Sequence, residues 1–163
     1  MIIMKFKETD TEEIVSLFYE TVHSVNLKDY SQEQLDVWAT KEEKESKINS
    51  WKVSLGKNIS FVAKINDKIV GFSDLTYDGY LDRLFVHKDF QGQGIASALV
   101  DMLENEAKKL NLLEIDTDSS ITAKPFFKHK GYTIVRSQTV ERKGVKLTNF
   151  KMRKKLTPSF FKS

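Results

Sequence analysis

Three strand-like runs follow one another between Ile59 and Val86 with only short breaks, and this stretch constrains the fold more than any other. Ile59 to Ile65 and Lys68 to Thr76 are separated by Asn66-Asp67, and Tyr80 to Val86 follows Asp78-Gly79. Asp-Gly between alternating apolar runs is a hairpin signal, because both residues tolerate the positive φ of a tight turn. The stretch predicts an antiparallel meander, whose apolar faces other elements must cover.

Helical periodicity supplies that cover. Residues 2–6 read as a first strand, after which Asp10 and Glu13 stand in capping-box spacing ahead of Ile14, Leu17, Phe18, Val22 and Val25. Ser31 and Gln34 repeat the spacing ahead of Leu35 and Trp38, and a third helix runs from Lys41 to a stop at Gly56. After the meander, a long helix from about Gly92 to Leu110 places Ile95, Leu99, Met102, Leu103 and Leu110 on one side. A strand from Leu112 to Thr117 and a short helix near Thr122 to Lys130 come next. Two strands close the chain, Tyr132 to Val140 and Val145 to Lys154, joined through Glu141 to Gly144. The reading is an α+β layered fold, with a mixed, mostly antiparallel sheet of about seven strands flanked by helices. Residues 1–157 are expected to form one domain and 158–163 a frayed tail.

The chain has no cysteine, which excludes a thiol nucleophile, an iron–sulfur cluster and a cysteine zinc site. His23, His87 and His129 lack metal-ligand spacing, so no metal is expected. The first residues meet charge at once and no window approaches the length of a membrane span, so the expectation is a cytoplasmic protein with no membrane partner. Charge is unevenly spread. Residues 1–120 carry 14 basic and 22 acidic side chains, whereas residues 121–163 carry 12 and one. A basic end on an acidic body points to an anionic partner. One such partner is a nucleic acid, stacked on Phe126, Phe127, Tyr132 and Phe150. Against that, the lysines alternate with apolar residues as on half-solvated strands, and no nucleic acid is expected.

The stretch most informative about chemistry is Val86-His87-Lys88-Asp89-Phe90-Gln91-Gly92-Gln93-Gly94-Ile95-Ala96-Ser97. It lies between a strand and the start of the longest helix, where amides lack internal partners and the dipole is positive. Small residues there let a backbone approach phosphate. A P-loop needs Lys then Ser or Thr after its last glycine, and Gly94 is followed by Ile95 and Ala96. A dinucleotide fingerprint fits better in its glycines, with Asp116 and Asp118 ending the next strand. It needs its first glycine at the strand end of a parallel unit, however, and here five residues separate Val86 from Gly92.

Gln91-x-x-Gly94-x-Ala96 after Leu84-Phe85-Val86 resembles the Q/R-x-x-G-x-G/A motif of the GNAT superfamily of N-acetyltransferases. Ser120, Ala123, Phe126-Phe127 and Gly131-Tyr132 resemble its second signature, and the order of elements matches the family over nearly the whole chain. Leu17 to His23 and Gln138 to Arg142 look like the bacterial YafP-type group. The resemblance implies acetyl-CoA as cofactor and direct transfer of acetyl to an amine of a small molecule or peptide in a ternary complex. By the same resemblance, Leu84, Phe85 and Val86 would hold the pantetheine arm, with one of their amides polarising the thioester. Gln91, Gly92, Gln93, Gly94, Ile95, Ala96 and Ser97 would cradle the pyrophosphate, with Ser120, Phe127 and Lys130 beside the cofactor.

An alkylamine of pKa about 10 arrives protonated, so a base is required. Tyr80 stands where many relatives carry a Glu, and Asp82 lies two residues on, hence on the same strand face. Asp82 is the candidate base, with Tyr80 orienting water or substrate, and an ion pair is the competing role for Asp82. Phe127 replaces the Tyr that in many relatives protonates the departing thiolate. A thiol of pKa about 8.5 leaves as thiolate at neutral pH for about 2 kcal/mol, so the loss slows turnover without preventing it. Ser120, Tyr132 or water are the substitutes, and an acyl-CoA sensor that binds without turnover is the alternative function. Tyr19, His23, Tyr30 and Trp38 are the candidate acceptor wall. Lys124, Lys128 and Lys130 are expected to attract the cofactor's phosphates, and acidic residues at the acceptor opening to favour a cationic amine. Monomer and homodimer both fit.

Overall fold

The computed structural model describes residues 1–157. The expected tail, 158–163, lies outside the described residues. The elements are β1 (Ile2–Lys5), α1 (Thr11–Ser24), α2 (Gln32–Trp38), α3 (Lys44–Lys57), β2 (Ile59–Ile65), β3 (Lys68–Leu75) and β4 (Tyr80–Val86), then α4 (Ile95–Lys109), β5 (Glu114–Ser120), α5 (Lys124–His129), β6 (Thr133–Arg142) and β7 (Val145–Lys155). They build a seven-stranded sheet in the order β1-β2-β3-β4-β5-β7-β6, antiparallel except where β4 meets β5. The α+β architecture and the meander are as expected from the periodicity.

The sheet separates two apolar clusters. On one face α4 and α5 cover Val70, Leu81, Ile115 and Met152 with Ile95, Leu99, Leu103 and Phe127. On the other, α1, α2 and α3 bury Ile14, Phe18, Leu35 and Leu55 against Val62 and Phe72. Gly71 lets α4 approach β3 closely, since a Cβ there would lie 2.9 Å from the Ile95 Cγ2 and 3.3 Å from the Phe85 carbonyl. The α4 stripe forms as read except at Leu110, which is exposed.

The two capping-box readings end differently. Ser31 and Gln34 form the reciprocal pair, Gln34 N–H donating to Ser31 Oγ and Ser31 N–H to Gln34 Oε1. Asp10 and Glu13 do not pair. Asp10 accepts from the Lys7 amide, within a short 3-10 turn that precedes α1, and Glu13 accepts from the Ile69 amide of β3. Tertiary contact with the sheet takes the residue that local spacing assigned to the cap.

Candidate active site

β4 and β5 run together for only two residue pairs, Tyr80 with Asp116 and Leu81 with Thr117. Beyond them β5 stays paired to β7 as far as Ser120 with Asn149, and β4 to β3 as far as Val86 with Gly71. The sheet therefore opens between its two central strands. A cavity of about 520 Å³ and another of about 440 Å³ meet there and share Leu84, Phe85, Ser120 and Ala123.

The larger cavity runs along the start of α4. Val86, Gln91, Gly92, Gly94, Ile95, Ala96 and Ser97 line it, together with Phe126, His129 and Lys130 of the α5 region and Thr21, Val25 and Asn26 from α1 onward. Gly92 and Gly94 have φ of 72° and 81°, and a Cβ at either meets nothing within 4 Å. Their requirement is conformational: left-handed backbone turns the loop around an open space. The first hydrogen bond of α4 runs from Ala98 N–H to the Gly94 carbonyl at 3.0 Å. The amides of Ile95, Ala96 and Ser97 precede it at the positive end of the helix, an anion site of the kind that holds phosphate. Gln91 braces this loop by donating to the Val86 carbonyl at 2.6 Å. Gln93 is exposed and lines neither cavity. The Lys130 ammonium bridges Ser97 Oγ at 3.0 Å and Asp101 Oδ1 at 2.5 Å, so part of its charge is already balanced. Lys124 instead caps the Phe150 ring at 4.3 Å.

The smaller cavity lies between the first helices and the β6–β7 hairpin. Its walls include Phe18, Tyr30, Trp38, Trp51, Phe85 and Phe127, with Tyr80, Asp82, Arg83 and Asp118 from the central strands. Strict alternation, the basis for placing Asp82 on the face of Tyr80, is broken here. Asp74 pairs with Arg83 and Leu75 with Leu81, leaving Asp82 as the extra residue of a β-bulge. The bulge brings Tyr80 and Arg83 to one cavity while Leu81 packs under α4. Asp82 still lines that cavity, partly exposed, with its carboxylate 3.5 Å from Arg83 Nη2.

Tyr80 donates its hydroxyl to Asp118 Oδ2 at 2.9 Å, and Asp118 Oδ1 accepts from Gln138 Nε2 at 2.9 Å. Burial and the adjacent carboxylate hold the Tyr80 phenol well above its ordinary range, so it stays a donor. Tyr132 is similarly held, donating to Glu104 Oε2 at 2.9 Å inside the core. That commitment removes it from the candidate proton donors, whereas Ser120 lines both cavities. Ser120 Oγ accepts from the Ala123 amide at 3.0 Å, which leaves its own proton to donate.

Of the four aromatic acceptor candidates, Tyr30 and Trp38 line the smaller cavity. The Tyr30 hydroxyl is occupied, donating to the Thr148 carbonyl at 2.8 Å and accepting from the Ile121 amide at 2.9 Å, so only its ring is free to face a ligand. Tyr19 and His23 line neither cavity. Tyr19 donates to the Thr40 carbonyl at 2.6 Å and His23 Nε2 to the Ala39 carbonyl at 2.9 Å, fastening the chain after α2 to α1. Their shared helix face is real, but it is turned to a loop. Sequence reading missed Lys47, Trp51, Arg83, Asp118 and Arg142, all lining the smaller cavity. Lys47 and Trp51 carry a visible signal, the four-residue spacing of one helix face. Asp118 and Arg142 carry none, since β5 and the β6–β7 hairpin meet the cavity only through the sheet.

The expected acidic acceptor opening is corrected. Lys47, Arg83 and Arg142 stand there with Asp82 and Asp118. The basic end of the chain is corrected in turn, because much of it is balanced internally. Arg153 pairs with Asp116 and Glu114 at 2.7 Å, Lys154 with Glu104 at 2.8 Å and Lys143 with Glu43 at 2.8 Å.

An acetyltransferase (GNAT) domain model matches residues 26–155. N-acetyltransferase YafP of Escherichia coli K12 is 35% identical over 154 residues, spanning 94% of this chain and 95% of that protein. A GCN5-related N-acetyltransferase from Rhodopseudomonas palustris superposes with a TM-score of 0.88 at 28% identity, covering 95% of each chain. The PaiA N-acetyltransferase of Thermoplasma acidophilum, solved with coenzyme A, shares the fold at a TM-score of 0.73 and 21% identity, over 95% of this chain and 98% of that one. No helix among the described residues is long and apolar enough to cross a membrane. With a split central sheet, a glycine turn opening the helix beside it and a relative matching almost end to end, the chain belongs to the GNAT family of N-acetyltransferases.

Proposed function

We propose that this chain transfers the acetyl group of acetyl-CoA directly to a primary amine. The observation that carries the reading is the meeting of the two cavities at Leu84, Phe85, Ser120 and Ala123, in the opening between β4 and β5. A thioester threaded from the α4 side reaches an amine held on the α1–α3 side at that junction. The amides of Ile95, Ala96 and Ser97 take the pyrophosphate, and Leu84 to Val86, which have no β5 partner, take the pantetheine arm.

The amine nitrogen attacks the thioester carbonyl carbon, the C–S bond breaks, and sulfur leaves with the electron pair. Asp82 accepts the ammonium or amine proton, directly or through water, and Tyr80 donates toward Asp118 and orders the neighbouring groups. A β4 amide at the developing oxyanion is worth about 3–4 kcal/mol by comparison with other acyl-transfer sites. Ser120 donates a hydrogen bond to the departing thiolate and relays to it a proton from water, in place of the tyrosine that Phe127 replaces.

Calorimetry with acetyl-CoA, followed by thiol release across a panel of amines, tests this reading. Binding with amine-dependent release of coenzyme A is expected. No heat of binding at millimolar acetyl-CoA overturns the cofactor assignment, and binding without release from any amine supports a sensor instead.

A further inference from the structure

We propose that the acceptor is an amino carboxylate: an amine with an apolar or aromatic body and a carboxylate, the carboxylate held by Lys47 and Arg142. The inference deepens the acetyltransferase reading and rests on it. Its motivation is a concentration of positive charge inside an aromatic cavity that also binds the amine end.

Lys47 Nζ lies 5.3 Å from the Phe18 ring centre and 5.5 Å from that of Trp51. Arg83 stacks on the same Trp51 at 4.6 Å, so two cations share one indole. Burial lowers the affinity of Lys47 for its proton, the Glu43 carboxylate opposes that, and the like charges of Arg142 and Arg83 add to the lowering. The three cations are not equivalent. Arg83 is neutralised by Asp74 at 2.7 Å. Among the described residues, neither Lys47 nor Arg142 has a carboxylate within ion-pair distance, and nearby Glu43 is paired with Lys143 at 2.8 Å. A half-buried lysine and an exposed arginine that repel each other, with no carboxylate in ion-pair contact, form a site that an arriving anion stabilises.

The opposite character lies toward the sheet opening. Asp82 and Asp118 line the same cavity on the central strands, where the amine must sit to reach the thioester. The aromatic walls between suit an apolar body, and about 440 Å³ is within the usual range for a small-molecule site. A simple alkylamine would leave Lys47 and Arg142 facing only the Glu43 carboxylate, which is itself paired with Lys143. The transfer chemistry is that already described, with the carboxylate a spectator.

Matched acceptors test the assignment: phenylalanine, its amide and phenethylamine, each with acetyl-CoA and the full-length chain. Phenylalanine should exceed its amide in kcat/KM by about tenfold, one close charge pair's worth. Lys47→Met with Arg142→Gln should bring that ratio near one, and Lys47→Arg should restore part of it. Where turnover is too slow to measure, binding of the same three compounds to the protein–coenzyme A complex gives the same comparison by calorimetry. Equal or better use of the amide or of phenethylamine overturns the inference and leaves the acetyltransferase reading standing. Failure of acetyl-CoA to bind overturns that reading, and the inference with it.

Discussion

Asp74 Oδ2 and Arg83 Nη1 lie 2.7 Å apart at the residue pair where the β4 bulge begins. Asp74 is wholly buried and also accepts from Asn58 Nδ2 at 2.9 Å, while its Oδ1 has no hydrogen-bond partner. Arg83 Nη2 donates to Ser54 Oγ at 2.7 Å. A carboxylate inside the sheet thus fixes a guanidinium in the wall of the smaller cavity. Removing Arg83 alone would strand a buried charge, a loss of about 3–5 kcal/mol in comparable pairs.

Burial outweighs the guanidinium and raises the Asp74 carboxyl to about 6, from an ordinary 3.8. The native state therefore holds this proton to higher pH than the unfolded chain does. The contribution is fully present below pH 3.8 and is lost as pH rises through 6, by up to about 3 kcal/mol. Asp74→Asn should flatten the pH dependence of urea unfolding between pH 4 and 7. Parallel stability curves for the two proteins would contradict the assignment.

Asp82→Asn should lower kcat by about 10²-fold or more, with little change in acetyl-CoA affinity, since only proton acceptance is removed. Tyr80→Phe should have a smaller effect, because its hydroxyl orders Asp118 rather than taking the proton. Steady-state kinetics on both, with Asp118→Asn beside them, separates the roles. Full activity in Asp82→Asn with loss in Asp118→Asn would transfer the base role across the cavity.

Gly94→Ala places a Cβ in open space but on backbone at φ 81°, so the loss is strain rather than collision. About 1–2 kcal/mol of left-handed strain should distort the loop and raise the acetyl-CoA dissociation constant about tenfold. Calorimetry reads this directly. An unchanged constant would show that the loop amides do not hold the cofactor.

Ser120→Ala should reduce kcat and leave acetyl-CoA binding intact, because the hydroxyl acts only as the thiol forms. Stopped-flow thiol detection distinguishes slowed release from slowed binding. Retention of wild-type kcat would return the proton-donor role to water.

The glycine turn proposed to hold the cofactor was legible because its determinants are local. Gly94, Ala96 and the end of β4 lie within a dozen residues, and strand, turn and helix periods identify their setting without knowledge of any distant partner. The acceptor wall was not. Tyr19 and His23 share a helix face by spacing, yet which neighbour that face meets depends on where residues 39–40 are packed. The same distinction applies to Arg83, which alternation sets on the face opposite Tyr80 and which a bulge visible only in the β3–β4 register brings to the same cavity.

Local periodicity and turn chemistry determined the order of elements, the meander and the glycine turn that opens α4, because hydrogen bonding and side-chain period act over a few residues. Tertiary structure alone decided the charge pattern of the two cavities. Chain order concentrates basic residues after residue 120, but the β5–β7 pairing sets Arg153 and Lys151 beside Asp116. The same packing gathers Lys47, Arg83 and Arg142 from three separate segments into one aromatic pocket. Coulomb energy depends on distance in space, and the fold sets that distance.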